Sequence, residues 1–93
     1  MALSAKTKLR LKNALTRASL ANEMEAAMDS PAPLSAKLKR AIVVALAGKA
    51  AGQEVVDAIE NGPISLSEKT KARIRLAMAS KAAGNEVIAA IES

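Results

Sequence analysis

The chain contains no phenylalanine, tyrosine or tryptophan, no histidine and no cysteine. Aromatic side chains usually carry the largest single burial terms, so the core must be built from Ala, Leu, Ile, Val and Met. Small residues let helices approach near the short end of the usual ~8–10 Å separation, and close backbone packing can replace some of the missing bulk. The absence of histidine removes the commonest general base and the commonest metal ligand together. With no cysteine there is neither a disulfide nor a thiol nucleophile, and the redox compartment is left open. Long apolar runs are missing too: the longest, Ala41 to Ala47, is far short of the ~20 residues that span a bilayer. Lys6, Lys8, Arg10 and Lys12 interrupt any secretory hydrophobic region near the N-terminus. Residues 1–22 are basic and free of acids, like an organellar presequence, but the same pattern recurs at 34–49 and 66–81 and is therefore structural. Neither a secretion signal nor a transmembrane segment is expected.

Recognisable reaction chemistry is also absent. No GxxxxGK[ST] or GxGxxG phosphate loop occurs, and no carboxylate cluster has metal-ligand spacing. Ser4/Lys8, Ser35/Lys39 and Ser67/Lys71 stand four apart, the arrangement of a Ser–Lys nucleophile pair on a helix. A helix-capping serine beside a solvated lysine is the simpler account, and a threefold active site would be peculiar. The expectation is a protein that is not an enzyme, with no catalytic, cofactor-binding or metal-binding residues.

What is present is a repeat. Leu3-Ser4-Ala5-Lys6-Thr7-Lys8 returns as Leu34-Ser35-Ala36-Lys37-Leu38-Lys39 and again as Leu66-Ser67-Glu68-Lys69-Thr70-Lys71, at offsets of 31 and then 32 residues. Further along, Asn22-Glu23-Met24 returns as Gln53-Glu54-Val55 and as Asn85-Glu86-Val87. A fixed period in this range marks stacked supersecondary units. The 93 residues therefore form one domain of three repeats, 3–30, 34–61 and 66–93. Each alone buries too little to fold, so stability must come from stacking them or from an oligomer.

Within a unit, a serine N-cap opens a helix. In the second unit Leu38, Ala41, Ile42, Ala45 and Leu46 then share one helical face, and a new stripe begins with Ala51, Val55, Ala58 and Ile59. The register change predicts a break near Gly48, matched by Ser80 and by Arg17, a poorer breaker. Helix A is expected at about 4–16, 35–47 and 67–79, and helix B at about 19–29, 50–60 and 82–92. A later break, with Gly52 and Gly84 as left-handed stops, is the alternative; glycines inside helix B, admitting helix A at close range, are preferred. Pro31 and Pro33 in one connector, and Gly62-Pro63 in the other, end the preceding helices. The fold class is all-α: three tandem helix-turn-helix hairpins, about six short helices, stacked as a small array or bundle. Met24 and Met28 stand where Val55/Ile59 and Val87/Ile91 stand, and so read as core. The divergent first unit reads as an end cap, and the third as an uncapped end.

The formal charge is +5, from 14 Lys and Arg against 9 Asp and Glu. The cations lie in helix A or the turn after it, and the acids lie in helix B except for Glu68. Glu23, Glu54 and Glu86 suit the start of a helix, but Lys6, Lys8, Lys37, Lys39, Lys69 and Lys71 sit where the macrodipole disfavours them. Three readings compete. The end of one helix B, with Asp29 or Glu60, lies beside the next helix A; or the six lysines hold an anionic partner such as nucleic acid; or they form a solvated face. Because helix B is acidic, it cannot act as a DNA recognition helix. Without aromatics no base can be stacked on a ring.

The unit L-S-x-x-x-K-x-x-I-x-x-A-L-A-x-K-A-A-G-[NQ]-E-V-[IV]-x-A-I, best seen at 34–59 and 66–91, resembles short helical repeats of tailed-bacteriophage virion structural proteins. The resemblance implies a non-enzymatic part of a head, neck or tail that binds other virion proteins in many copies. The functional expectation is an assembly protein that binds protein partners or itself as an oligomer, with no membrane role. The alternative is a nonspecific nucleic-acid-binding protein using the six lysines.

Overall fold

The computed structural model describes residues 3–30, 33–61 and 65–92. Among these are six helices and no strand: α1 (Ala5–Leu15), α2 (Ala18–Asp29), α3 (Ala36–Ala45), α4 (Lys49–Glu60), α5 (Glu68–Met78) and α6 (Lys81–Glu92). The all-α, three-hairpin expectation holds, with boundaries within two residues of those expected. Ser4, Ser35 and Ser67 are the N-caps of α1, α3 and α5, and each hydroxyl accepts from the amide three residues on, in Thr7, Leu38 and Thr70. The breaks fall at Arg17 and Gly48, which precede α2 and α4 in extended conformation. Ser80 stands at the same place before α6 and accepts from the Ala83 amide. Lys49 and Lys81 are thus the first residues of the second helices rather than part of the turn. The proline and glycine stops at 31 and 62–63 lie outside the described residues.

The later break is excluded, since Gly52 and Gly84 lie inside α4 and α6. A Cβ on Gly52 would come within 2.8 Å of the Val43 Cα, and one on Gly84 within 2.7 Å of the Arg75 Cα. Both are far inside van der Waals contact, so these hairpins close at a distance that only glycine allows. The first hairpin has Ala21 at the matching position, fully buried.

The three hairpins close on one another. Besides the contacts within hairpins, α2 packs on α3, α4 on α5, and α6 on α1, while α2, α4 and α6 also touch one another. Backbone capping follows the same circuit. Ser35 donates its N–H to Glu23 of the first hairpin (2.9 Å), Ser67 donates to Glu54 of the second, and Ser4 donates to Glu86 of the third. A relation that repeats identically and returns to its start after three steps is a rotation without translation. The molecule is therefore a closed ring with approximate threefold symmetry, and its extents of 27 × 26 × 23 Å are those of a ball. Neither an uncapped third unit nor an end-capping first unit exists: the outer faces that an open stack would leave are packed against each other. Leu11, Ile42 and Ile74 with Met24, Val55 and Val87 converge on an apolar central cavity of about 30 Å³. Met24 is buried and Met28 packs against the core, as their positions in the repeat require.

Candidate functional site

The first turn of each first helix resolves the misplacement of the lysines. An ordinary capping box brings a carboxylate from the third helical position back to the cap amide. Here that position holds Thr7, Leu38 or Thr70, all buried in the core. The carboxylate comes instead from the neighbouring hairpin, through Glu86, Glu23 or Glu54. A second carboxylate closes from within the hairpin: Glu60 accepts from the Leu34 amide at 2.7 Å, and Glu92 from the Leu66 amide at 2.9 Å. Two negative charges at the positive end of a helix are favourable, and they offset the lysines beside them. Charge-assisted bonds from Ser4, with Thr7 alongside, hold the Glu86 carboxyl below its ordinary range, the Ser4 amide being the largest cause.

Of the six candidate lysines, Lys8, Lys39 and Lys71 are drawn into ion pairs. Lys8 pairs with Glu25 at 3.9 Å, Lys39 with Glu60 at 3.6 Å, and Lys71 with Glu92 at 3.7 Å and with Glu68 at 3.6 Å. Glu60 thus serves its own hairpin and not the next first helix, which corrects, for Glu60, the first of the three readings of the lysines. The reason is geometric: in an antiparallel hairpin the end of the second helix returns to the start of the first. Lys6, Lys37 and Lys69 are exposed and have no ion pair among the described residues. By the threefold relation they lie at one level around the ring.

Arginines make a second set of links between hairpins, which the sequence reading missed. Arg10 donates to the carbonyls of Met78 and Ala79 (3.2 and 3.1 Å), and Arg73 to those of Leu46 and Ala47 (3.0 and 2.9 Å). Each thereby caps the C-terminal end of the preceding hairpin's first helix, where a cation is favoured. The third equivalent position holds Ala41, so the junction between the first two hairpins has no such link. That junction instead carries a surface groove of about 280 Å³ lined by Arg17, Leu20, Ala36, Lys37 and Arg40. The signal was available in the repeat, as the one place where the Arg10/Arg73 column is interrupted.

Among the described residues three large apolar side chains remain outside: Leu9 is 56%, Val44 72% and Leu76 78% exposed. Val44 and Leu76 occupy the same position in their repeats, and Asn13 occupies it in the first. Among the described residues no group of His, Cys, Asp or Glu could hold a metal ion, and no helix is long and apolar enough to cross a membrane. The chain matches no family model, no curated protein and no solved structure.

Proposed function

We propose that this chain is a non-enzymatic assembly module, a structural component that binds protein partners or further copies of itself, as in the phage virion repeats that it resembles. One observation carries the reading. The ring consumes the apolar stripe of every helix, yet Val44 and Leu76 stand almost fully outside at equivalent positions. An aliphatic side chain that contributes nothing to its own core is available to a neighbour.

A second reading is nonspecific binding of nucleic acid. It is favoured by Lys6, Lys37 and Lys69, which have no ion pair among the described residues while Glu60 and Glu92 neutralise the adjacent Lys39 and Lys71. One pair of experiments separates the two. Under the assembly reading, sedimentation from micromolar to near-millimolar protein gives a mass above the 9.6 kDa monomer, and Val44→Glu with Leu76→Glu returns it to monomer at unchanged thermal stability. A random-sequence DNA duplex then binds negligibly at low salt. Under the second reading the protein stays monomeric, and duplex affinity falls steeply with salt and is lost on Lys6→Gln, Lys37→Gln and Lys69→Gln together.

A further inference from the structure

We propose that the groove between the first two hairpins docks an acidic, aliphatic-bearing segment of a partner protein. This deepens the assembly reading and rests on it. The groove is the place where the threefold pattern fails most. Arg17, Lys37 and Arg40 line it, and the equivalent triads at the other two junctions are Gly48, Lys69 and Ala72, and Ser80, Lys6 and Leu9. Three cations thus stand at these positions where each of the other junctions has one, and the further arginine that each of those junctions holds, Arg73 or Arg10, is committed to backbone carbonyls. The repeat gives no structural reason for the additional arginines. Arg17 makes no side-chain capping bond at the start of α2, and neither it nor Arg40 has an ion pair among the described residues. The junction's own carboxylate, Glu23, is committed to the Ser35 N–H and hydroxyl at 2.9 and 3.0 Å and does not line the groove.

The lining selects the partner. Two guanidinium groups and an ammonium match carboxylates, which arginine binds through two parallel hydrogen bonds. Half-buried Leu20 lies among them and offers an apolar contact that a phosphodiester backbone would not use. A nucleic-acid track would need such a cluster continued along the surface; the pair of unpartnered arginines is confined to one junction. An acidic segment with an aliphatic side chain between its carboxylates satisfies the charges and Leu20 together.

The test uses the full chain and a fluorescein-labelled peptide of alternating Glu and Leu, followed by anisotropy. Arg17→Gln with Arg40→Gln is expected to weaken binding about tenfold or more. Lys49→Gln with Lys81→Gln removes the same charge from outside the groove and should weaken it about twofold at most. Both pairs of residues are exposed, and melting curves of the variants are expected to match. Equal losses in the two variants would mean that only net charge attracts the peptide, and would overturn the proposal. So would absence of saturable binding. A DNA duplex that displaces the peptide and is itself weakened by the groove variant would assign the site to phosphates instead. Failure here with self-association through Val44 and Leu76 intact removes the groove alone and leaves the assembly reading standing.

Discussion

Three residues at matching positions, Thr16, Ala47 and Ala79, hold left-handed backbone, with φ of 64°, 55° and 56°. This region costs an L-residue roughly 1–2 kcal/mol and costs glycine nothing. The chain does place a glycine here, but one residue late: Gly48 is extended, with φ −166°, while Ala47 bears the strain. Glycine is required instead at Gly52 and Gly84, where a Cβ would strike the neighbouring backbone. The two substitutions of opposite sense should therefore have opposite effects. Ala79→Gly should raise stability by about 1 kcal/mol, net of the extra freedom it gives the unfolded chain. Gly84→Ala should lower it by about 1–3 kcal/mol through overpacking. Urea midpoints at an unchanged slope decide both; a destabilised Ala79→Gly variant would show that the turn's conformation is not strained.

At the scale of elements, each first helix is finished by a carboxylate from the preceding hairpin in the ring. The Glu86 carboxyl is held below its ordinary range chiefly by the Ser4 amide, so the folded state binds a proton there less readily than the unfolded state. The stability it contributes is complete above the unfolded carboxylate range, near pH 4.3, and is lost as pH falls through the depressed folded value. Denaturation titrations from neutral pH downward should therefore show a weakening on acidification that is smaller in Glu86→Gln, which keeps an acceptor but cannot titrate. An identical acid limb in both proteins would exclude this bond as a contributor. The hairpins themselves were legible from the sequence, because serine caps and a change of apolar register are local signals. The links between hairpins were not. Ser4 and Glu86 are 82 positions apart, Arg10 and Ala79 are 69 apart, and each has an adequate local account. Glu86 suits the first turns of its own helix, and Arg10 suits a solvated face. The same ambiguity concealed which lysines are free, since the pairing of Lys39 with Glu60 and of Lys71 with Glu92 follows from hairpin closure and not from charge pattern.

For the whole molecule, rotation makes the starting point of the chain arbitrary. Four residues separate Asp29 from Leu34 and five separate Glu60 from Leu66, while Ser93, Met1 and Ala2 would separate Glu92 from Leu3 if the ends were joined. A circular permutant joined with one or two added residues and opened between Glu60 and Leu66 should fold cooperatively with nearly native stability, as measured by thermal unfolding. A permutant that fails to fold would show that the order of the hairpins matters beyond their geometry. The closed circuit also governs how such a protein can change over generations. A linear solenoid gains or loses repeats by duplication and stays folded, because each new unit finds a neighbour. Here the last neighbour is already the first unit. A fourth hairpin would have to break the Glu86–Ser4 seam to enter, and a chain of two would leave a third of the circle open. Copy number in this architecture is set by the angle between neighbours, so its descendants can diversify in what each hairpin displays but not in how many hairpins there are.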